Sequence, residues 1–114
     1  MANRLEDGAE KFDIEIPEGD DFCLNIMRSE DVHGAAIDTT GATWEALLYD
    51  RGNLLSAPVP SVVVVDASIT AVQMILTKAQ TVRAVLTPRS GEYILRYTLG
   101  GVTKRLISGQ YVRV

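Results

Sequence analysis

His33 is the only imidazole and Cys23 the only thiol in this 114-residue chain, so any conventional nucleophile–base pair would have to recruit one of them. A Ser-His-Asp triad needs a base oriented by a carboxylate and a nucleophile on an exposed elbow, and no Gly-x-Ser-x-Gly pattern is present. Cys23 lies inside an alternating strand pattern, and His33 sits beside Asp31 in a turn-rich loop. Neither residue has a catalytic context, and the expectation is a protein without enzymatic activity. One histidine and one cysteine cannot close a tetrahedral zinc site without two further carboxylates. Glu18, Asp20 and Asp21 offer oxygen ligands but lack the twelve-residue calcium-loop spacing, so they read as a solvated turn. Gly100-Gly101 has neither a following helix nor a lysine at phosphate-loop spacing and reads as a hairpin turn. No cofactor and no metal are expected.

The charged residues carry more information than the nucleophiles. The formal net charge is -4 and the isoelectric point about 4.9, which argues against nucleic acid or an anionic membrane as a partner. That figure conceals a split. Residues 1–77 hold four basic and fourteen acidic side chains, whereas residues 78–114 hold seven basic ones and the single acid Glu92. Either the acidic strands lie beside the basic ones and neutralise them within the fold, or the two surfaces meet in neighbouring subunits. The least comfortable pair is Arg96 with Arg105, which the closing hairpin sets opposite each other at a cost of a few tenths of a kcal/mol to about 1 kcal/mol. The candidate partner-binding residues are therefore Arg96, Arg105 and Lys104 on that hairpin, with Arg4 and Lys11 on the N-terminal segment.

The elements that must position these charges are short alternating strands separated by turns. Phe12, Ile14 and Ile16 share one face, and Phe22, Leu24 and Ile26 repeat the pattern after Pro17 and Gly19. Residues 29–41 read as a loop. Residues 42–49 form a strand with Trp44, Ala46 and Leu48 in phase. Pro58 and Pro60 mark an edge or a crossing between sheets. Residues 62–65 are a continuous valine run, either buried on both faces or an edge covered by a partner. Residues 71–76 form the next strand, and Thr77 with Gln80 has capping-box spacing for a helical turn over 78–85, stopped before Pro88. The two-residue Gly100-Gly101 turn sets Leu99 opposite Val102, Tyr97 opposite Lys104, Arg96 opposite Arg105, Leu95 opposite Leu106 and Tyr93 opposite Ser108.

A single 12.4 kDa domain of this size buries about two-thirds of its unfolded surface, and one cysteine excludes an intrachain disulfide. The expected fold is all-β, an immunoglobulin-like antiparallel β-sandwich of seven to eight strands with one short helical turn near residues 78–85. Residues 12–114 form the domain, and residues 1–11 a flexible or partner-docked arm. No signal peptide or bilayer-length apolar run is present, so synthesis in a reducing cytoplasm is expected.

Five stretches occur in the order and spacing of a known family. They are Gly19-Asp20-Asp21-Phe22, Ile37-Asp38-Thr39-Thr40-Gly41, Leu76-Thr77-Lys78-Ala79-Gln80-Thr81, Gly91-Glu92-Tyr93, and Arg105-Leu106-Ile107-Ser108-Gly109-Gln110-Tyr111-Val112-Arg113-Val114. Together they resemble small structural proteins of tailed phages, similar to the amino-terminal domains of phage baseplate upper proteins. Thr39 stands where that family usually has Leu, and residues 93–97 depart from its Tyr-x-Tyr-Asp run. The resemblance implies an immunoglobulin-like sandwich located in the virion after synthesis in the host cytoplasm. It also implies other virion structural proteins as partners and no catalysis. With the chain ending after its last strand, the expectation is an accessory, connector or decoration subunit of the head, neck, tail or fibre attachment region, in multiple symmetric copies. The rival reading is a carbohydrate- or host-surface-binding sandwich, which needs exposed aromatic platforms from a chain that is only 6% aromatic. A small hydrolase is the further alternative, disfavoured by the scarcity of histidine and cysteine.

Overall fold

A computed structural model describes residues 10–27 and 37–114. His33 and Arg4 lie outside the described residues, as does most of the loop expected over 29–41. Nine strand segments are present among the described residues: β1 (Glu10–Lys11), β2 (Ile14–Ile16), β3 (Phe22–Met27), β4 (Thr43–Asp50), β5 (Asn53–Leu54), β6 (Ser61–Asp66), β7 (Ala71–Leu76), β8 (Ser90–Leu99) and β9 (Val102–Arg113). They build two sheets. The larger runs β1-β9-β8-β4-β5, with β2 also paired to β9, and the smaller runs β3-β7-β6. If β1 and β2 are counted as one strand broken at Phe12 and Asp13, the total is eight, and the all-β sandwich expected from the alternation is what forms.

Three local expectations change. The pairing is not wholly antiparallel, because β1 and β2 run parallel to β9 (Glu10 opposite Ile107, Ile14 opposite Tyr111). Among the described residues the sheet thus includes Glu10 and Lys11, inside the segment read as an arm. Phe12 falls in the break between β1 and β2 and is 52% exposed, while Ile14 and Ile16 are buried as the period-two pattern requires. Of the two readings of the valine run, the edge strand is the one found, since among the described residues β6 pairs with β7 alone.

The closing hairpin keeps the expected register only as far as Arg96 opposite Arg105, with Gly100 and Gly101 both at positive φ (60° and 80°) as a primed turn demands. Leu106 is then an extra residue, so Leu95 faces Ile107 and Tyr93 faces Gly109. This bulge has a packing cause. A regular ladder would bury every second residue of β9, whereas the bulge lets Leu106 and Ile107 both go inside, at 2% and 8% exposure. Burial of each such aliphatic side chain stabilises the fold by about 1.5–3 kcal/mol.

The helical turn is shorter than the 78–85 expected, spanning Lys78–Thr81. Gln80 reaches back through Oε1 to accept from the Thr77 amide at 2.9 Å, the half of the capping box that closes the first turn. A second turn follows, in which the Leu86 amide donates to the Val82 carbonyl at 2.9 Å and drives Leu86, fully buried, into the open end of the sandwich. At the opposite end Thr39 and Thr70 are buried with their hydroxyls 3.3 Å apart. Thr39 donates to the Ala67 carbonyl and Thr70 to that of Ile37, which ties the 37–42 loop to the 3-10 turn Ala67–Ile69.

Candidate partner-binding site

The outward face of the larger sheet gathers the charges. Strand alternation sends Tyr93 and Leu95 inward and leaves Glu92, Ile94 and Arg96 outward, and the ladders set these beside β4 and β9. Three rows result: Glu45–Arg96–Arg105, Leu47–Ile94–Ser108 and Tyr49–Glu92–Gln110. The bulge at Leu106 creates the last two, because without it Ser108 and Gln110 would point to the core.

In the first row Arg96 Nε donates to Glu45 Oε1 at 2.5 Å. The acid that offsets the arginine pair therefore comes from the acidic segment of the same chain. The second ion pair of the described residues repeats this arrangement: Arg113 Nη1 donates to Glu18 Oε1 at 2.6 Å. Arg113 is 7% exposed, and its Nε also donates to the Leu86 carbonyl at 3.0 Å. Both pairs join residues 1–77 to residues 78–114, so part of the charge split is neutralised inside the fold.

A groove of about 610 Å³ crosses the outward face, lined among others by Lys11, Asp13, Tyr49, Glu92, Arg105 and Gln110. β1 forms its rim, placing Lys11 opposite Ser108. The Asp13 carboxylate accepts from the Gln110 amide at 2.9 Å, which fixes the break between β1 and β2 against β9. Ser108, 4% exposed, also lines the groove, and its Oγ has no hydrogen-bond partner among the described residues. A second depression, lined by Asp50, Arg51, Arg89 and Glu92, continues from it.

The five candidate residues do not form one patch. Arg105 and Lys11 line the same groove, Arg96 stands beside Arg105 in the first row but is engaged with Glu45, and Lys104 stands opposite Tyr97 on the other side of the pleat. Arg4 is outside the described residues. Asp13, Tyr49, Glu92, Ser108 and Gln110 were not expected at the site. Glu92 was readable from the alternation of β8, but Ser108 and Gln110 depend on the bulge, which has no signature in the strand pattern.

The groove sets two carboxylates (Asp13, Glu92), two cations (Lys11, Arg105) and neutral polar groups beside Tyr49 and Tyr93. Among the described residues no group of three or more His, Cys, Asp or Glu side chains is placed to hold a metal ion. Cys23 is exposed on β3, away from the groove. No helix among the described residues is long and apolar enough to cross a membrane. No protein-family model matches the chain, and no curated protein matches it in sequence.

Proposed function

We propose that the protein is a non-enzymatic structural subunit of a tailed-phage particle, acting as an accessory, connector or decoration component among other virion proteins and present in multiple symmetric copies. The observation that carries this reading is that the five family-like stretches fall on the places that shape the sandwich. Gly19, at φ 78°, turns the chain between β2 and β3. Asp38 accepts from the Thr40 amide at 2.9 Å and its hydroxyl at 2.5 Å, ahead of Gly41 at φ 87°. Thr77 and Gln80 close the helical turn, Gly91 lies beneath the Tyr111 ring, and Gly109 beneath the Phe12 carbonyl. A resemblance confined to one stretch would speak for a local turn, whereas five in order speak for the whole domain. Mass spectrometry of purified particles tests it. The chain is expected as a stoichiometric component, and its absence refutes the assignment.

The groove favours a second reading, the carbohydrate-binding module. Tyr49 supplies a ring, Asp13 and Glu92 accept, and Lys11, Arg105 and Gln110 donate, a mixture that suits a polyhydroxylated ligand. Glycan-array binding abolished by Tyr49→Ala would favour it over a purely structural role. An array with no signal removes it.

A further inference from the structure

The flank of the sandwich formed by β5 and β6 is unlike the rest of the surface. Residues 52–65, between Arg51 and Asp66, contain no charged side chain, in a chain where charged residues make up 23%. Leu54, Val59, Val63, Val64 and Val65 are exposed along this stretch, Val65 by 63%. Among the described residues the strand β6 is hydrogen-bonded to β7 on one side only, which leaves its other edge, beside β4, without a strand partner. Soluble proteins usually blunt such edges with lysine or another charge, and β6 has none from Ser61 to Val65. Its one charged residue, Asp66, is folded back onto Ser68, accepting from the amide at 3.1 Å and from the hydroxyl at 2.6 Å.

We infer that this edge is an interaction surface for a second copy of the chain, with β6 of each copy paired antiparallel across a two-fold axis at Val63. The inference stands apart from where the protein acts. A two-fold axis normal to the sheet keeps the inner and outer faces of both copies continuous, which sets a residue opposite its own counterpart. Val63 is the midpoint of the uncharged strand residues Ser61–Val65. Pro60 lacks the amide needed to extend the ladder at one end, and the charged Asp66, just past the register shift at Val65, bounds it at the other. Centred there, Val62 faces Val64 of the second copy and Ser61 faces Val65, and no charge meets a like charge. The chain as a whole carries -4, so two copies repel over most of their surface, and the neutral strip is where they approach without that cost. The smaller sheets of the two copies then form one continuous six-stranded sheet. A five-residue ladder is small against a standard interface, so the dimer is weak and forms only at high protein concentration.

Opposed residues of an antiparallel ladder have Cα atoms about 4.5–5.5 Å apart, within the range a disulfide bridges. In a Cys23→Ser background, Val63→Cys is therefore expected to form an interchain disulfide under mild oxidation at least tenfold faster than Ile69→Cys, which is exposed but off the edge. Sedimentation equilibrium of the unmodified chain is expected to show a concentration-dependent dimer, lost in Val63→Lys. Equal cross-linking rates at the two positions, or a monomer at every soluble concentration, overturns the inference. Should Val63→Lys fail to fold, the cross-linking comparison decides alone.

Discussion

Arg96 and Glu45 face each other in direct register across β4 and β8, and Arg96 Nε donates to Glu45 Oε1 at 2.5 Å while Arg105 stands on its other side in β9. The row is a carboxylate followed by two guanidinium groups. The ion pair is partly exposed, at 37% and 49% of the two side chains, so by itself it contributes about 0.2–1 kcal/mol. Its larger role is to offset the repulsion between two cations that the ladder holds opposite each other.

That role is measurable as coupling. Glu45→Ala is expected to cost about 0.5–1 kcal/mol in the native chain, and less than half of that once Arg105 is replaced by Thr. Urea unfolding of the four proteins of the cycle gives the coupling energy, which should shrink in 1 M salt. An identical cost in both backgrounds would show that Glu45 pairs with Arg96 without relieving the neighbouring charge.

Arg113 presents the opposite case, since its guanidinium is buried and serves three acceptors, the Leu86 and Thr87 carbonyls and Glu18. Arg113→Met keeps the apolar stem but leaves the loop carbonyls behind Leu86 without donors, and is expected to cost about 2–3 kcal/mol. Glu18→Gln retains an acceptor on a side chain that is 39% exposed and should cost about 1 kcal/mol. Chemical denaturation ranks the two. A smaller loss for the arginine variant would mean that Leu86 seats itself without help from Arg113.

How much of this was legible in the chain itself follows from which interactions were local. The period-two runs that became β3, β4 and β7, the Gly100-Gly101 turn and the start of the helical turn at Thr77–Gln80 each depend on residues close in sequence and formed, though the helix stops at Thr81 and not at 85. The Arg96–Arg105 juxtaposition followed from the turn alone. From Leu95 onward the register could not be read, because the bulge answers to where Leu106 and Ile107 find space between two sheets. The groove depends on that bulge and on the parallel docking of β1. Its lining is thus a product of long-range packing, and only Lys11 and Arg105 of it were singled out as candidate partner-binding residues. The buried Thr39 likewise has a partner 31 positions away, the Thr70 hydroxyl, which no local pattern reveals.

Two glycines test the close docking of neighbouring segments. A Cβ on Gly109 would overlap the Phe12 carbonyl, and one on Gly91 would overlap the Tyr49 carbonyl and press on the Tyr111 ring. The obstacle is backbone in both cases, so a rotamer change cannot relieve it. Gly109→Ala is expected to separate β1 from β9 and cost about 2–3 kcal/mol, with loss of amide-exchange protection at Phe12, which donates to the Ser108 carbonyl at 2.9 Å. Gly101→Ala meets open space and carries only the cost of its positive φ, about 1 kcal/mol. Equal losses at Gly109 and Gly101 would refute the docking argument.

Two buried phenols weaken the fold at alkaline pH. Burial raises the Tyr93 hydroxyl well above its ordinary value of 10.0, with the nearby Asp13 carboxylate adding to the shift, and burial likewise raises Tyr111. A group whose folded value lies above its unfolded value contributes stability that is complete below the unfolded value. That contribution is lost as pH rises past about 10, because the unfolded chain releases protons that the folded chain retains. Stability is therefore expected to fall from about pH 10 upward, and tyrosinate absorbance from Tyr93 and Tyr111 should appear only as the chain unfolds. The two hydroxyls differ in their partners: Tyr93 donates to the Phe12 carbonyl, whereas the Tyr111 hydroxyl finds no partner among the described residues. At neutral pH Tyr93→Phe should cost about 1 kcal/mol, while Tyr111→Phe, which removes an unpaired polar atom, should be neutral or slightly stabilising. Both variants should unfold at higher pH than the native chain once referred to their own neutral-pH stability. A Tyr111→Phe variant that loses as much as Tyr93→Phe would show that the Tyr111 hydroxyl has a partner after all.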